Sequence, residues 1–147
     1  PYRRQRQMCI RDRSDTLYSL QAGTLQRVPQ EDGESTYAPM LDKSLCPIDW
    51  SKPAREIHNQ IRGLSPWPVA VTSLSGKRMK VHGSRMTGRE STLPYGTVTG
   101  VDGEICVACG DGEVLSLLCI QAEGGKRMDA SDYLRGHPIP KGTRLGE

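Results

Sequence analysis

The chain has 147 residues, of which 35% are hydrophobic and 25% charged, with a formal net charge of +3 and a mean hydropathy of −0.55. This length suits one domain, or one domain with a tail, and the composition is that of a soluble protein. No run approaches the roughly 18 apolar residues of a membrane-spanning helix, and no signal-peptide pattern opens the chain, so we expect a cytoplasmic protein without a membrane segment.

The first 49 residues divide into an Arg-rich start and a linker. Residues 1–13, PYRRQRQMCIRDR, hold five Arg and one Asp, so they contribute +4 to the net charge and leave −1 for the rest. We interpret residues 1–13 as a non-native or disordered flank, with a basic arm for nucleic acid as the alternative. Residues 14–49 open with a helix-compatible stretch, Ser14 to Leu25, that stops at Gly23, and they continue as a linker containing Pro, Gly and acidic residues.

Residues 51–63 predict an amphipathic helix. Ser51 is a suitable N-cap, Pro53 lies in the first turn, where its missing N–H costs nothing, and Gly63 can end the helix. Apolar residues recur on one helical face, which we expect to pack on the core. These residues are Ala54, Ile57, Ile61 and Leu64.

The two tryptophans flank this helix in a chain that has no Phe. We expect Trp50 to pack at the helix entry. Trp67 stands between Pro66 and Pro68, which cannot continue a helix and therefore hold the indole stiffly. We expect Trp67 to fill the core, with stacking on a nucleic-acid base as the alternative. The residues with a predicted structural role are thus Trp50, Ser51, Ile57, Ile61, Pro66, Trp67 and Pro68.

Alternating apolar and polar residues with closely spaced turn signals follow, which is typical of a small antiparallel barrel. The predicted strands are Val69 to Leu74, Lys77 to Met86, Gly96 to Val101, Glu104 to Ala108 and Glu113 to Gln121, the last being apolar enough to be central. Asp129 would cap a short helix over Ala130 to Arg135. We therefore predict a mainly β domain over 50–142, an OB-like antiparallel β-barrel of about five strands with the 51–63 helix packed on it and a short C-terminal helix, followed by a tail over 143–147.

The sequence shows no arrangement typical of an active site. The three histidines, His58, His82 and His137, are scattered, and nothing suggests a nucleophile with an orienting base. Cys106-Val-Ala-Cys109 resembles half of a zinc site, but the second pair is missing, so we expect buried thiols and no metal. We predict no catalytic residue in this chain.

Cations cluster instead in one predicted strand and one turn. The run KRMKVHGSRMTGR contains Lys77, Arg78, Lys80, Arg85 and Arg89 without an acidic residue, and Lys126-Arg127 follows a Gly-Gly turn. Arg78 and Lys80 share one face of a strand, so they could meet a phosphate backbone. A solvated strand face is the alternative interpretation.

Several separated motifs together resemble one family. The pattern DWS, A.EIHN.IRGL.PWP, then GKR.K, GDG and EGGKRMDA.DYLRGH is similar to the C-terminal domain of methionyl-tRNA formyltransferase, over roughly Asp15 to Gly142. The resemblance implies a role in translation initiation, in which the enzyme formylates the methionine of initiator tRNA with 10-formyltetrahydrofolate. It also implies that the catalytic Asn, His and Asp, and the folate pocket, belong to an N-terminal domain that this chain lacks.

From the resemblance we expect a tRNA-binding portion that is inactive alone, holds no cofactor itself, and is monomeric. Its partners would be initiator methionyl-tRNA and the N-terminal catalytic domain in cis. The candidate tRNA-binding residues are Lys43, Lys77, Arg78, Lys80, Arg85, Arg89, Lys126 and Arg127. The alternatives are the C-terminal domain of another formyl-dependent enzyme, of the formyltetrahydrofolate dehydrogenase or sugar-nucleotide formyltransferase type, and a free-standing OB-type nucleic-acid-binding module.

Overall fold

The computed structural model describes residues 2–26, 29, 33, 36, 40–100 and 103–147, without the side chains of residues 2–9. The chain divides into two compact units, Pro1–Ala38 and Pro39–Glu147. No helix within the described residues is long and apolar enough to cross a membrane.

The first unit contains helix α1, Tyr2–Gln21. The sequence predicts a helix only from Ser14, whereas the structure continues it back through the Arg-rich start. Residues 2–22 contain no Gly or Pro and are rich in Arg and Gln, which are good helix formers, so nothing local interrupts the helix. A turn with Gly23 at a φ of 70° follows it, at the predicted stop.

The second unit is built on one antiparallel sheet with the strand order β1-β2-β5-β4-β3. A two-residue strand, β6, pairs with β5 outside this path. The bounds are β1 Ala70–Leu74, β2 Lys77–Glu90, β3 Val98–Gly100, β4 Ile105–Ala108, β5 Glu113–Ala122 and β6 Met128–Asp129. The predicted fold class is confirmed, and β5 is central as its apolar sequence predicts. The residues Val101 and Asp102 of the predicted second hairpin lie outside the described residues.

Strand β2 is longer than the sequence predicts and is irregular. The prediction ends it at Met86, but pairing with β5 continues to Glu90. Its register shifts around Gly83, where a β-bulge lies between two regular stretches. The bulge changes which residues point inward: Met79 and Val81 are buried before it, whereas Met86 packs against the core after it.

The last residues are part of the sheet. The sequence predicts a tail over 143–147, but residues 142–146 form a closing segment that bonds to both edges of the sheet. On one edge, the Gly142 and Leu145 N–H groups donate to the Val98 and Gly96 carbonyls, both at 2.8 Å. On the other edge, the Gly146 N–H donates to the Ser73 carbonyl at 3.0 Å. The sheet is therefore closed by backbone hydrogen bonds of the C-terminal segment.

Helix α2, Ala54–Gly63, packs on β2 and β5 with Ala54, Ile57 and Ile61 buried, as the apolar stripe predicts. The prediction of Ser51 as N-cap is wrong. The helix begins three residues later, and the Ser51 hydroxyl donates to Asp49 at 2.6 Å instead. The cap comes from the turn before β5, where an Asp111 carboxylate oxygen accepts from the Ala54 N–H at 3.0 Å. The second α-helix of this unit is α3, Ala130–Gly136.

Replacing Asp111 by Ala is expected to lower the free energy of unfolding by about 1 kcal/mol, the usual cost of a lost N-cap. The carboxylate also accepts from the Glu113 N–H at 3.1 Å, so both the helix start and the turn before β5 lose a partner. Urea denaturation followed by circular dichroism measures the change. Asp132→Ala is the matched control, because this carboxylate is exposed in the first turn of α3 and forms an exposed ion pair with Arg135, so its loss should change stability by less than about 1 kcal/mol. Equal losses in the two variants would contradict the capping role.

The two tryptophans lie in opposite environments. Trp50 is 4% exposed, and its indole N–H donates to the Thr72 hydroxyl at 3.0 Å, which joins the helix entry to β1. Trp67 is 60% exposed, so the prediction that it fills the core is wrong. Leu64, at the end of α2, is buried instead, and the peptide bonds before Pro66 and Pro68 are both cis. The chain thus presents one buried and one exposed indole.

Candidate nucleic-acid interface

The outward face of β2 carries the first group of predicted cations. Met79 and Val81 are buried, with exposed fractions of 2% and 0%. Because side chains alternate along a strand, Arg78 and Lys80 point to the other face, where both are exposed. The predicted placement of these two cations on one face is confirmed.

Neighbouring strands bring further polar groups to this face. Lys80 stands opposite Gln121 of β5, and Gly83 stands opposite Cys119. Arg127, from the turn after β5, reaches the same place, with its Nε donating to the Cys119 sulfur at 3.1 Å. His82 follows Lys80 on the outward side, and its Nε2 lies 3.4 Å from the Gln121 side-chain oxygen. We call Lys80, His82 and Arg127 the cationic cluster.

The pKa of His82 reflects its burial and its neighbours. Burial of the ring lowers the pKa of His82 below its ordinary value of 6.5, and the hydrogen bond with Gln121 raises it. The positive charges of Arg127 and Lys80 lower it further. Residues that are 47 positions apart in the sequence therefore act on one imidazole.

Arg78 and Lys43 extend the basic surface beyond the cluster. Both line a surface cavity of about 310 Å³ next to β1, together with Gly146 of the closing segment. A carboxylate lies beside Arg78 as well, because Glu123 accepts from the Arg78 backbone N–H at 3.2 Å and lines a second cavity with Arg78 and Lys80. Lys77, the first residue of β2, and Lys126, after the turn that follows β5, are both exposed. The linker and the barrel thus contribute cations to a common region.

Arg85 and Arg89 form a separate group. The β-bulge at Gly83 returns Arg85 to the outward face, where its Nη2 donates to both oxygens of Glu104 at 2.7 and 2.8 Å. The buried Ser116 hydroxyl also donates to Glu104 at 2.5 Å. The bonds from Ser116 and then from Arg85 hold the pKa of Glu104 below its ordinary value, so it is ionised at neutral pH. The charge of Arg85 is therefore already offset within the protein.

The predicted run of five cations is thus divided between two places. The cationic cluster, with Arg78 and Lys43, has its positive charges facing solvent, whereas Arg85 and Arg89 lie near the Glu104 carboxylate. His82 was missed as a site residue. Its even spacing from Arg78 and Lys80 was visible in the sequence, but the approach of Arg127 was not.

The histidines and the cysteine considered above for catalysis or metal binding make contacts within the domain. The His58 Nδ1 lies 2.9 Å from the Ser84 hydroxyl between α2 and β2, and His137 stacks on Tyr133 with ring centroids 4.5 Å apart. Burial raises the pKa of the Cys109 thiol to about 12, so this thiol stays protonated. Within the part of the chain that the structure describes, no group of three or more His, Cys, Asp or Glu side chains could hold a metal ion.

The fold and the motifs define a class of protein, the small β-barrel domains that are attached to formyl transferases. The chain belongs to the formyl transferase C-terminal domain family, which matches residues 40–138.

Individual relatives agree with this membership. The chain is 42% identical over 136 residues to the methionyl-tRNA formyltransferase of Acetivibrio thermocellus, covering 90% of this chain and 43% of the relative. It is 48% identical over 133 residues to that of Trichlorobacter lovleyi, covering 89% and 41%. It is 39% identical over 134 residues to that of Bacillus subtilis, covering 90% and 42%. The chain therefore spans about two fifths of the length of the curated relatives it matches.

A solved structure shows the same fold at low identity. HypX from Aquifex aeolicus, in complex with tetrahydrofolic acid, matches with a TM-score of 0.53 and 16% identity, over 80% of this chain and 21% of that one. This likeness concerns the fold alone.

Proposed function

We propose that this chain is the tRNA-binding C-terminal portion of a methionyl-tRNA formyltransferase, which acts in the cytoplasm during translation initiation. The parent activity would be formyl transfer from 10-formyltetrahydrofolate to the methionine on initiator tRNA. The folate and the reacting groups would be held by an N-terminal domain in cis, and this portion alone would be inactive. Its own task would be to hold the phosphate backbone of the tRNA.

One observation carries the proposal: the outward face of β2 gathers Arg78, Lys80 and Arg127 on a domain whose relatives are methionyl-tRNA formyltransferases at 39–48% identity. Cations in a row along a strand suit the regular spacing of phosphates, and such contacts position a nucleic acid without reading its bases. The net charge of only +3 favours weak binding by this portion alone. Affinity in a longer protein would come from linking two weak sites.

The alternatives predict different partners. The domain of another formyl-dependent enzyme would contact protein and would bind no tRNA. A free-standing nucleic-acid-binding module would bind unrelated single strands as tightly as tRNA. The identities of 39–48% to methionyl-tRNA formyltransferases, against 16% to HypX, favour the first proposal.

Replacing both Lys80 and Arg127 by Ala is expected to weaken binding of initiator tRNA and to flatten its salt dependence. Each phosphate contact contributes roughly 0.7 to 0.9 to the slope of log K against log salt, so losing two contacts costs on the order of tenfold each at about 0.1 M salt. Fluorescence anisotropy with labelled initiator tRNA between about 50 and 200 mM salt measures both quantities.

The charge-matched control is the double variant Arg55→Ala with Arg62→Ala, on the exposed side of α2. It removes two cations from a different surface and should leave the slope nearly unchanged. If both double variants flatten the slope equally, the effect is due to total charge and the proposed interface is wrong. If the wild-type chain binds no tRNA even at low salt, the proposed function itself fails.

A further inference from the structure

A groove between the linker and α2 keeps apolar side chains at the surface. It has a volume of about 300 Å³, and its apolar lining comes from Leu41 and Leu45 of the linker and from Gly63 and Leu64 at the end of α2. We call it the linker groove. Leu64 is buried, whereas Leu41 and Leu45 are 43% and 42% exposed. Leucines that are still open to water gain free energy when a partner covers them, so the linker groove can bind a further apolar group.

The linker groove is formed before any partner arrives, because the linker is fixed to α2 and to β1. The side-chain amide of Gln60 donates to the Leu45 and Pro47 carbonyls at 2.8 and 3.0 Å. The Val71 N–H donates to the Cys46 carbonyl at 2.7 Å. Leu45 is therefore held beside α2, and binding a partner there costs little ordering of the linker.

The rim of the linker groove favours a protein over a nucleic acid. Lys52 and Glu56 both line it and are both exposed, so its charges have opposite signs. The Glu56 carboxylate would repel a phosphate at this place. An apolar centre with a polar rim of mixed charge is the ordinary arrangement of a protein–protein interface.

The length of the relatives indicates which protein could occupy the linker groove. The chain covers 43% and 41% of the methionyl-tRNA formyltransferases of Acetivibrio thermocellus and Trichlorobacter lovleyi, and the family it belongs to is the C-terminal domain of formyl transferases. Those enzymes therefore carry a larger portion before this domain. A portion joined through the linker would be tethered close to Leu41 and Leu45. Tethering raises its effective concentration, so a small groove is enough to hold it.

We propose that the linker groove is the docking site for the N-terminal catalytic domain of the longer enzyme, which inserts an apolar side chain between the linker and α2. The inference rests on the proposed function, because it needs that domain in cis, and it adds the surface at which the two domains meet. The linker groove shares no lining residue with the cavity beside Lys43 and Arg78, so docking leaves those cations available to RNA.

The test compares the full chain alone with a fusion in which it replaces the last two fifths of the Trichlorobacter lovleyi enzyme. Hydroxyl-radical footprinting measures the reactivity of individual leucine side chains in both proteins. Leu41 and Leu45 should react several-fold more slowly in the fusion. Leu93, which is 37% exposed and does not line the linker groove, is the reference and should react equally in both. Equal reactivity of Leu41 and Leu45 in the two proteins would overturn the docking site.

Gly63→Lys obstructs the linker groove without disturbing the fold. Nothing lies within 4 Å of a Cβ added at Gly63, and a cation is favourable in the last turn of a helix. With this substitution, Leu41 and Leu45 should react equally in the fused and unfused chains. Gly136→Lys is the matched control, since it ends α3 and its added Cβ also meets nothing within 4 Å, and it should leave both leucines protected in the fusion. The same result for the two variants would contradict docking in the linker groove.

Other occupants would be detected in the unfused chain. Protection of Leu41 and Leu45 that increases with chain concentration would indicate a second copy, and protection on adding initiator tRNA would indicate RNA. Either result would overturn the proposal. Binding of tRNA is followed separately by fluorescence anisotropy. Binding of tRNA without protection of the leucines in the fusion refutes the docking site alone, whereas protection without tRNA binding refutes the tRNA-binding function and leaves the docking site standing.

Discussion

Replacing Gly110 by Ala is expected to cost about 3 kcal/mol or more of the free energy of unfolding, enough to leave a domain of ordinary stability marginal. A Cβ added at this position would lie 1.7 Å from the Ser51 carbonyl oxygen and 2.3 Å from its carbonyl carbon. The obstacle is backbone, so no side-chain rotation relieves it. The Gly110 N–H also donates to the Lys52 carbonyl at 3.0 Å, which ties the two segments together at the point of contact.

Thermal and urea unfolding of the purified variant measure this loss. Gly63→Ala is the matched control, because nothing lies within 4 Å of its added Cβ and its backbone is helical. That substitution should be neutral or stabilise by up to about 1 kcal/mol, through the higher helix propensity of Ala. If the two variants had the same stability, the close approach of the turn before β5 to the entry of α2 would be refuted.

Replacing Trp50 by Ala is expected to cost about 3 to 5 kcal/mol, as for other large buried aromatics. The indole is 4% exposed and bonded to Thr72, so its removal leaves a cavity and an unpaired hydroxyl. The closing segment would also be affected, because a Cβ added at Gly146 would lie 3.2 Å from the Trp50 Cδ1. The loss should therefore appear both in global unfolding and in faster amide exchange of residues 142–146.

Trp67→Ala is the internal control for this experiment. Its indole is 60% exposed, and its removal should change the free energy of unfolding by less than about 1 kcal/mol. Thr72→Val isolates the hydrogen bond and should cost about 1 kcal/mol. Comparable losses for the two tryptophans would contradict the unequal packing of the two indoles.

The sequence correctly predicted the helices and strands that are determined by residues close to one another in the chain. The apolar stripe of Ile57 and Ile61 and the uninterrupted apolar run of β5 depend on neighbours a few residues away, and both are placed correctly. Between β1 and β2, Ser75 and Gly76 adopt φ values of 52° and 74°, the left-handed values that a tight hairpin requires.

The incorrect predictions concern residues whose contact partners are distant in the sequence. Ser51 has the chemistry of an N-cap, but the cap comes from Asp111, 57 residues beyond Ala54. The sequence could not show which tryptophan is enclosed, because this depends on Thr72 and on the closing segment. For the candidate interface, the spacing of Arg78 and Lys80 in the sequence was enough to predict that they share one face of the strand. The ion pair of Arg85 with Glu104 and the approach of Arg127 to His82 could be seen only in the folded structure.

The closing segment has a consequence for how the domain is made on the ribosome. Ser73 and Val98 are synthesised well before the residues that bond to them, so both edges of the sheet stay open until residues 142–146 emerge. At 5–20 residues per second, the interval after β1 is roughly 4 to 15 s. Open strand edges pair readily with other chains, so this interval is when the nascent domain is most exposed to aggregation and to capture by chaperones. Closure of the barrel therefore comes after the synthesis of all its strands.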